Sequence, residues 1–170
     1  MARRRPPNDE ELVEAARRLG DGLRRHGWQL ASAESCTGGM IGHVVTQVPK
    51  SSDHYLGGIV SYSDAVKAEL LGVDAELIER VGAVSPDVAE AMADGALSRF
   101  GAAELAIAVT GIAGPDGGTE QKPVGLTYVA VARRGGPARI ERRVWEHDRD
   151  GNKRASTLLA LELALDVAKG

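Results

Sequence analysis

The chain has 170 residues, a formal charge of -3 and one cysteine. That length allows one domain with a substantial core, and the slightly acidic balance gives no sign of the concentrated basic surface that nucleic-acid binding needs. A single cysteine excludes an internal disulfide framework. No apolar run is long enough to span a bilayer, and the start lacks the apolar stretch of a secretory signal. A cytoplasmic protein is expected, with no membrane and no nucleic acid among its partners. Aromatic residues are only 4% of the chain while apolar residues are 43%, so the core must be built from Ala, Val, Leu and Ile.

Residues 1–9, with Arg3 to Arg5 and two prolines, read as a solvated, flexible tail, and 10–170 as a single domain. Leu12, Ala15, Ala16, Leu19 and Leu23 follow helical spacing. Glu10, Glu11 and Glu14 lie early in that segment, Arg24 and Arg25 lie late, and Gly27 ends it. "WQLASA" predicts a strand, and Ile41, Val44, Val45 and Val48 mark one face of a second helix that stops before Pro49. "YLGGIVSYS" predicts a strand, followed by short helices in "DAVKAELLG" and "DAELIERVG".

The clearest boundary is "SPDVAEAMADGALSRFG", where Ser85 caps a helix, Pro86 takes its first position and Gly101 closes it. "ELAIAVTG" is a nearly continuous apolar run, as a strand buried on both faces would be. "IAGPDGGTEQKP" is a loop. "VGLTYVAVARRGG" and "ARIERRVWEH" predict an antiparallel hairpin around "RGGP". A last helix carries Leu158, Leu161, Leu165 and Ala168 on one face. This order predicts an α/β protein with a mixed sheet covered by helices on both faces. Ligand sites in such folds form beyond the carboxyl ends of strands, which singles out "SAESCTGG" and "VTGIAGPDGG".

In the first loop, Ser35 stands between a strand and a helix, beside amides that can hold an anion or an oxyanion, and Gly38 and Gly39 allow close approach. The residues alone leave alternatives open. Ser35 or Thr37 fits equally as a plain helix cap, and Cys36 as a nucleophile or a small buried hydrophobe. His26, His43, His54 and His147 have no metal spacing and no triad motif, and Asp116 and Asp148 are too scattered to assign a cation, so no metal is expected.

A serine nucleophile without histidine needs another base, and lysine is the known alternative. Lys67, set among Ala, Val and Leu, is the natural choice if burial lowers its affinity for its proton, with Tyr62 to orient it or relay the proton. The same spacing also fits an exposed helix lysine and a half-buried tyrosine. In the second loop, Thr110 follows a buried strand. Four glycines over eight residues, from Gly111 to Gly118, with Pro115 among them, make a rigid cradle of amides. It has neither a Walker nor a GxGxxG spacing, so neither ATP nor a dinucleotide is indicated. In "EHDRDGNKR", Asp148 or Asp150 can cap the last helix. Arg149 and Arg154 oppose its dipole, which an anionic ligand would explain.

"AESCTGG", "SYSDAVKAELLGV", "GAVSPDVAEAMADGA", "VTGIAGPDGGTEQKPVGLTYVAVA" and "HDRDGNKR", in this order, resemble the CinA C-terminal domain family from about Leu12 to Ala168. The larger competence/damage-inducible proteins carry another domain before this one, and the chain resembles the stand-alone form. The resemblance implies a three-layer α/β/α fold, a homodimer, and an amidohydrolase that converts nicotinamide mononucleotide to nicotinate mononucleotide and ammonia without metal or cofactor. It implies Ser35 as nucleophile and Lys67 as base, with Tyr62, Thr110 and Arg149 as further site positions. The expected site has Ser35, Lys67 and Tyr62 as catalytic residues, and Thr37, Gly38, Gly39, Thr110, Gly111, Ala113, Gly114 and Arg149 around a phosphorylated pyridine nucleotide. The sequence departs from the family pattern at His147 and Lys50, where glycines are common. Two other readings stay open: a non-catalytic nucleotide-binding or regulatory module, and an amidohydrolase for another small phosphorylated amide.

Overall fold

The computed structural model describes residues 5–170; positions 1–4 of the expected tail lie outside the described residues. The chain order is α1 (Asp9–His26), β1 (Leu30–Glu34), α2 (Met40–Thr46), a 3-10 turn (Ser51–Asp53), β2 (Tyr55–Val60), α3 (Asp64–Leu71), α4 (Ala75–Val81), α5 (Pro86–Arg99), β3 (Leu105–Gly111), β4 (Leu126–Arg133), β5 (Arg139–Val144) and α6 (Arg149–Lys169). The strands form one sheet in the order β2-β1-β3-β4-β5. β1 is parallel to β2 and β3, and β4 is antiparallel to both its neighbours, so the sheet is mixed. α1, α2 and α6 pack on one face and α3, α4 and α5 on the other.

The helix ends follow local chemistry. Asn8 and Glu11 form a reciprocal capping box at α1, and Gly27 closes it with φ 67°. Ser85 accepts the Val88 amide at 3.2 Å, with Pro86 in the first turn of α5. Asp148, not Asp150, caps α6 by accepting the Gly151 amide at 2.8 Å. Lys50 has φ 65°, in the left-handed region that favours glycine.

The two faces of the sheet differ in bulk. Leu30, Leu105, Ile107, Val109, Val129 and Val131 point to the α1, α2 and α6 layer. Ala31, Ala33, Ala106, Ala108, Ala130 and Ala132 point to the other. This strict alternation is the period of a strand, and the alanine face lets α5 lie close to the sheet. α5 in turn meets α3 backbone to backbone, because a side chain on Gly95 would reach 2.0 Å from the Leu71 carbonyl oxygen. The alternation also positions the site. Ser35 continues the Ala31, Ala33 row and Thr110 the Ala106, Ala108 row, and the Ser35 amide extends the β1–β3 pairing by donating to the Val109 carbonyl at 3.0 Å. Among the described residues no helix is long and apolar enough to cross a membrane.

Candidate active site

At the carboxyl ends of β1 and β3 a cavity of about 260 Å³ is lined by Ser35, Cys36, Tyr62, Asp64, Lys67, Ala83, Val84, Thr110, Gly111, Ala113 and Arg149. Larger hollows lie between α1 and α2 and beside the β4–β5 turn, but no residue of the expected site lines either of them. Seven positions of the expected site therefore meet at one place, Ser35, Tyr62, Lys67, Thr110, Gly111, Ala113 and Arg149, with Cys36 beside them.

Lys67 is the most unusual of them. Its side chain is 1% exposed. Ser63 caps α3 by accepting the Val66 amide, which fixes the turn from which Lys67 projects. The ammonium donates to the Tyr62 carbonyl at 3.1 Å and lies 3.7 Å from the Asp64 carboxylate, which is itself 62% exposed. Burial lowers the pKa of Lys67 below the ordinary lysine value, and Asp64 opposes that shift. Tyr62 holds Lys67 through its backbone. Its ring is largely exposed, and its hydroxyl accepts from Arg149 Nη2 at 3.2 Å.

Ser35 and Cys36 are adjacent but differ chemically. Burial pushes the Cys36 thiol up to about 12, so it remains protonated at neutral pH and is a poor nucleophile. A side chain on Gly111 would crowd the Cys36 sulfur at 3.1 Å and the Leu126 carbonyl at 2.8 Å, so β3 must carry glycine there. Glu34, buried at the end of β1, accepts the amides of Ile41 at 2.8 Å and Gly42 at 3.2 Å. The carboxylate thereby takes the first free donors of α2. The Gly38 amide donates to the Ser35 carbonyl and the Met40 amide to that of Thr37. Thr37, Gly38 and Gly39 are not part of the cavity wall. Among the described residues the buried Thr37 hydroxyl has no partner, and Gly38 and Gly39 take φ 60° and 99° to turn the chain.

The second loop is fastened to α6. Arg149 Nη1 donates to the Gly114 carbonyl at 2.6 Å, and the buried Asn152 amide donates to the Ala113 carbonyl at 3.0 Å. Asn152 also accepts the His147 amide at 3.1 Å. Gly114 therefore braces Arg149 and does not itself line the cavity. Thr110 donates to the Ala83 carbonyl at 2.8 Å and holds the segment before α5 at the cavity edge. Arg154 does not join the site: it pairs with Asp9 at 2.6 Å and Asp150 at 2.7 Å. Among the described residues no three His, Cys, Asp or Glu side chains gather into a metal-binding group.

Sequence reading missed Asp64, Ala83 and Val84. Asp64 was within reach of pattern, three residues before Lys67 on one helix. Ala83 and Val84 carry no chemical signal and enter only through the Thr110 bond.

Fold and site together define an α/β protein with a serine and a buried lysine in one cleft at the ends of parallel strands. The chain belongs to the CinA C-terminal domain family, whose sequence model matches residues 12–168. It is 44% identical over 155 residues to a CinA-like protein of Nostoc, covering 85% of this chain and 36% of that protein. It is 52% identical over 137 residues to a CinA-like protein of Mycolicibacterium vanbaalenii, covering 81% of this chain and 32% of that one. The chain thus spans about a third of the length of these curated relatives. In three dimensions it is similar to the competence/damage inducible protein CihA of Agrobacterium tumefaciens, with a TM-score of 0.89 and 37% identity over 96% of this chain and 98% of that one. A competence-damaged protein (CinA) superfamily protein of Klebsiella pneumoniae gives a TM-score of 0.88 and 30% identity over 93% and 98% of the two chains.

Proposed function

We propose that this chain is a hydrolase that deamidates nicotinamide mononucleotide to nicotinate mononucleotide and ammonia, with Ser35 as nucleophile and Lys67 as base. The observation that carries this reading is Lys67: a buried amine, its proton loosened by desolvation, lining the same cavity as Ser35. The choice of substrate follows what the sequence resemblance implies, and the residues gathered in the cavity support the chemistry.

In this scheme neutral Lys67 takes the Ser35 proton while Oγ attacks the carboxamide carbon. The oxyanion is held by the amides of Cys36 and Thr37, the next two along the turn, because the Gly38 amide is engaged by the Ser35 carbonyl. The C–N bond then breaks, and Lys67 returns the proton to the leaving nitrogen, which departs as ammonia. Water gives a proton to Lys67, attacks the ester and releases the acid, and Ser35 is reprotonated. Thr110 and the Tyr62 carbonyl hold the cavity wall and the amine in place. Arg149, fixed by Gly114 and Tyr62, uses its remaining N–H groups on the phosphate.

The test is ammonia release from the mononucleotide, followed together with the acid product. Ser35→Ala is expected to lower turnover by about a thousandfold or more, with folding retained by circular dichroism. Turnover equal to the wild type would sink the scheme. A panel of other phosphorylated amides separates this substrate from close relatives, and tight binding of the mononucleotide without hydrolysis would point to a recognition module.

A further inference from the structure

α6 begins with three cations in its first two turns. Arg154 is neutralised by Asp9 and Asp150, and Arg149 is bonded to Gly114 and Tyr62. Lys153 has no such partner: among the described residues its ammonium makes no hydrogen bond and no ion pair. An unpaired cation near the positive end of a helix dipole is unfavourable by itself. It is also half-buried, which limits the water that would otherwise compensate it.

Its position narrows the explanation. Lys153 lies four residues after Arg149, which puts both on one face of α6, and Arg149 lines the cavity. The ammonium lies against the turn after Ser35: a side-chain carbon built on Gly38 would sit 3.8 Å from Nζ. Its charge also reaches Cys36, where it favours the thiolate against the larger effect of burial. Cys36 lines the same cavity. Neither Lys153 nor the exposed Gly38 lines the cavity itself; they lie beside it, next to the wall residues Ser35 and Cys36.

We propose that Lys153 is a binding residue for the phosphate monoester of the substrate, forming with Arg149 of the cavity wall a dianion subsite outside the cavity, next to the Gly38 turn. The proposal rests on the reading of the site as a mononucleotide amidohydrolase and deepens it. The lysine is the group that makes the enzyme prefer a mononucleotide over the nucleoside that carries the same amide. Arg149 grips the phosphate with a fixed planar fork, and Lys153 adds a mobile point charge that follows the second negative charge.

The experiment compares kcat and KM for nicotinamide mononucleotide and nicotinamide riboside in the wild type, Lys153→Met and Lys153→Arg. Binding of inorganic phosphate to each full chain is measured by calorimetry alongside. In Lys153→Met the preference for the mononucleotide over the riboside, as a ratio of kcat/KM, is expected to fall about tenfold or more, mainly through KM. Lys153→Arg should restore most of it, and phosphate binding should weaken in step with the ratio. A preference within about twofold of the wild type in Lys153→Met would overturn the proposal, since a charge-assisted contact is worth more than that. So would an equal loss on both substrates, which marks a merely structural lysine. If the wild type hydrolyses neither compound, the amidohydrolase reading fails and the phosphate arm decides alone. Lysine-dependent binding then upholds the subsite, and binding that the Met variant retains rejects it.

Discussion

The turn after β1 and the loop after β3 read alike in the sequence, since both are glycine-rich and follow buried strands, yet they are built in opposite ways. After β1, side chains face the cavity, local carbonyls take the Gly38 and Met40 amides, and Glu34 takes those of Ile41 and Gly42 at the start of α2. After β3, the carbonyls of Ala113 and Gly114 are fastened to α6, and only Gly111 and Ala113 reach the cavity wall. The first turn presents side chains to the cavity and the second is a frame. Glycine content does not separate the two roles. What separates them is which backbone groups are already tied.

The sharpest way to break this comparison is to remove the buried amine that shares the cavity with the first turn. Lys67→Met keeps the length and packing of the side chain, and turnover should fall about a thousandfold or more. Stability should move the other way, by about 1 kcal/mol in favour of the variant, because a poorly compensated buried charge is gone. The pH dependence has a definite sign. In the window between the lowered folded value of Lys67 and the ordinary lysine value, the unfolded chain binds more protons, so wild-type stability rises with pH there. The stability gap between variant and wild type should therefore shrink as pH is raised, as read from urea melts at several pH values.

The frame is tested at Asn152. Asn152→Ala leaves the Ala113 carbonyl and the His147 amide without their partner. It should cost about 1–3 kcal/mol in a denaturant melt, with a raised KM as the loop loosens. A variant as stable as the wild type would mean that the loop is held by something else.

The smallest and most specific effect is expected at Asp64, which lies 3.7 Å from Lys67 but mostly in solvent. Its carboxylate favours the charged amine, so Asp64→Asn should loosen the proton further. The acid limb of the pH–rate profile should shift to lower pH, and the rate at neutral pH should rise modestly. A shift in the other direction would remove Lys67 as the base.

Much of the architecture was legible because each strand's pattern was honest. The alternation of Leu105, Ile107 and Val109 with Ala106 and Ala108 is a strand buried on both sides, and Ser85-Pro86 and Gly27 mark real helix ends. The positions that converge on the cavity were legible for a related reason: Ser35 and Thr110 extend the alternating rows that the strands begin. Partnerships were less legible. Arg154 looked like a phosphate ligand, but sequence could not reveal that Asp9, at the other end of the chain, would claim it. Glu34 gave no sign that its carboxylate would close the start of α2. Lys153 was hidden among neighbouring charges, and its lack of a partner among the described residues shows only in the structure.

The contact at Gly95 reaches further than packing. α3 rests on α5 where the Leu71 carbonyl enters the space a methyl group would fill, and Lys67 is one turn upstream on that same helix. Placing any larger residue at 95 would lift the far end of the lever that carries the amine. A position outside the cavity wall thereby bears on where the Lys67 amine sits, and under the proposed mechanism a change of a single carbon atom there is expected to lower turnover.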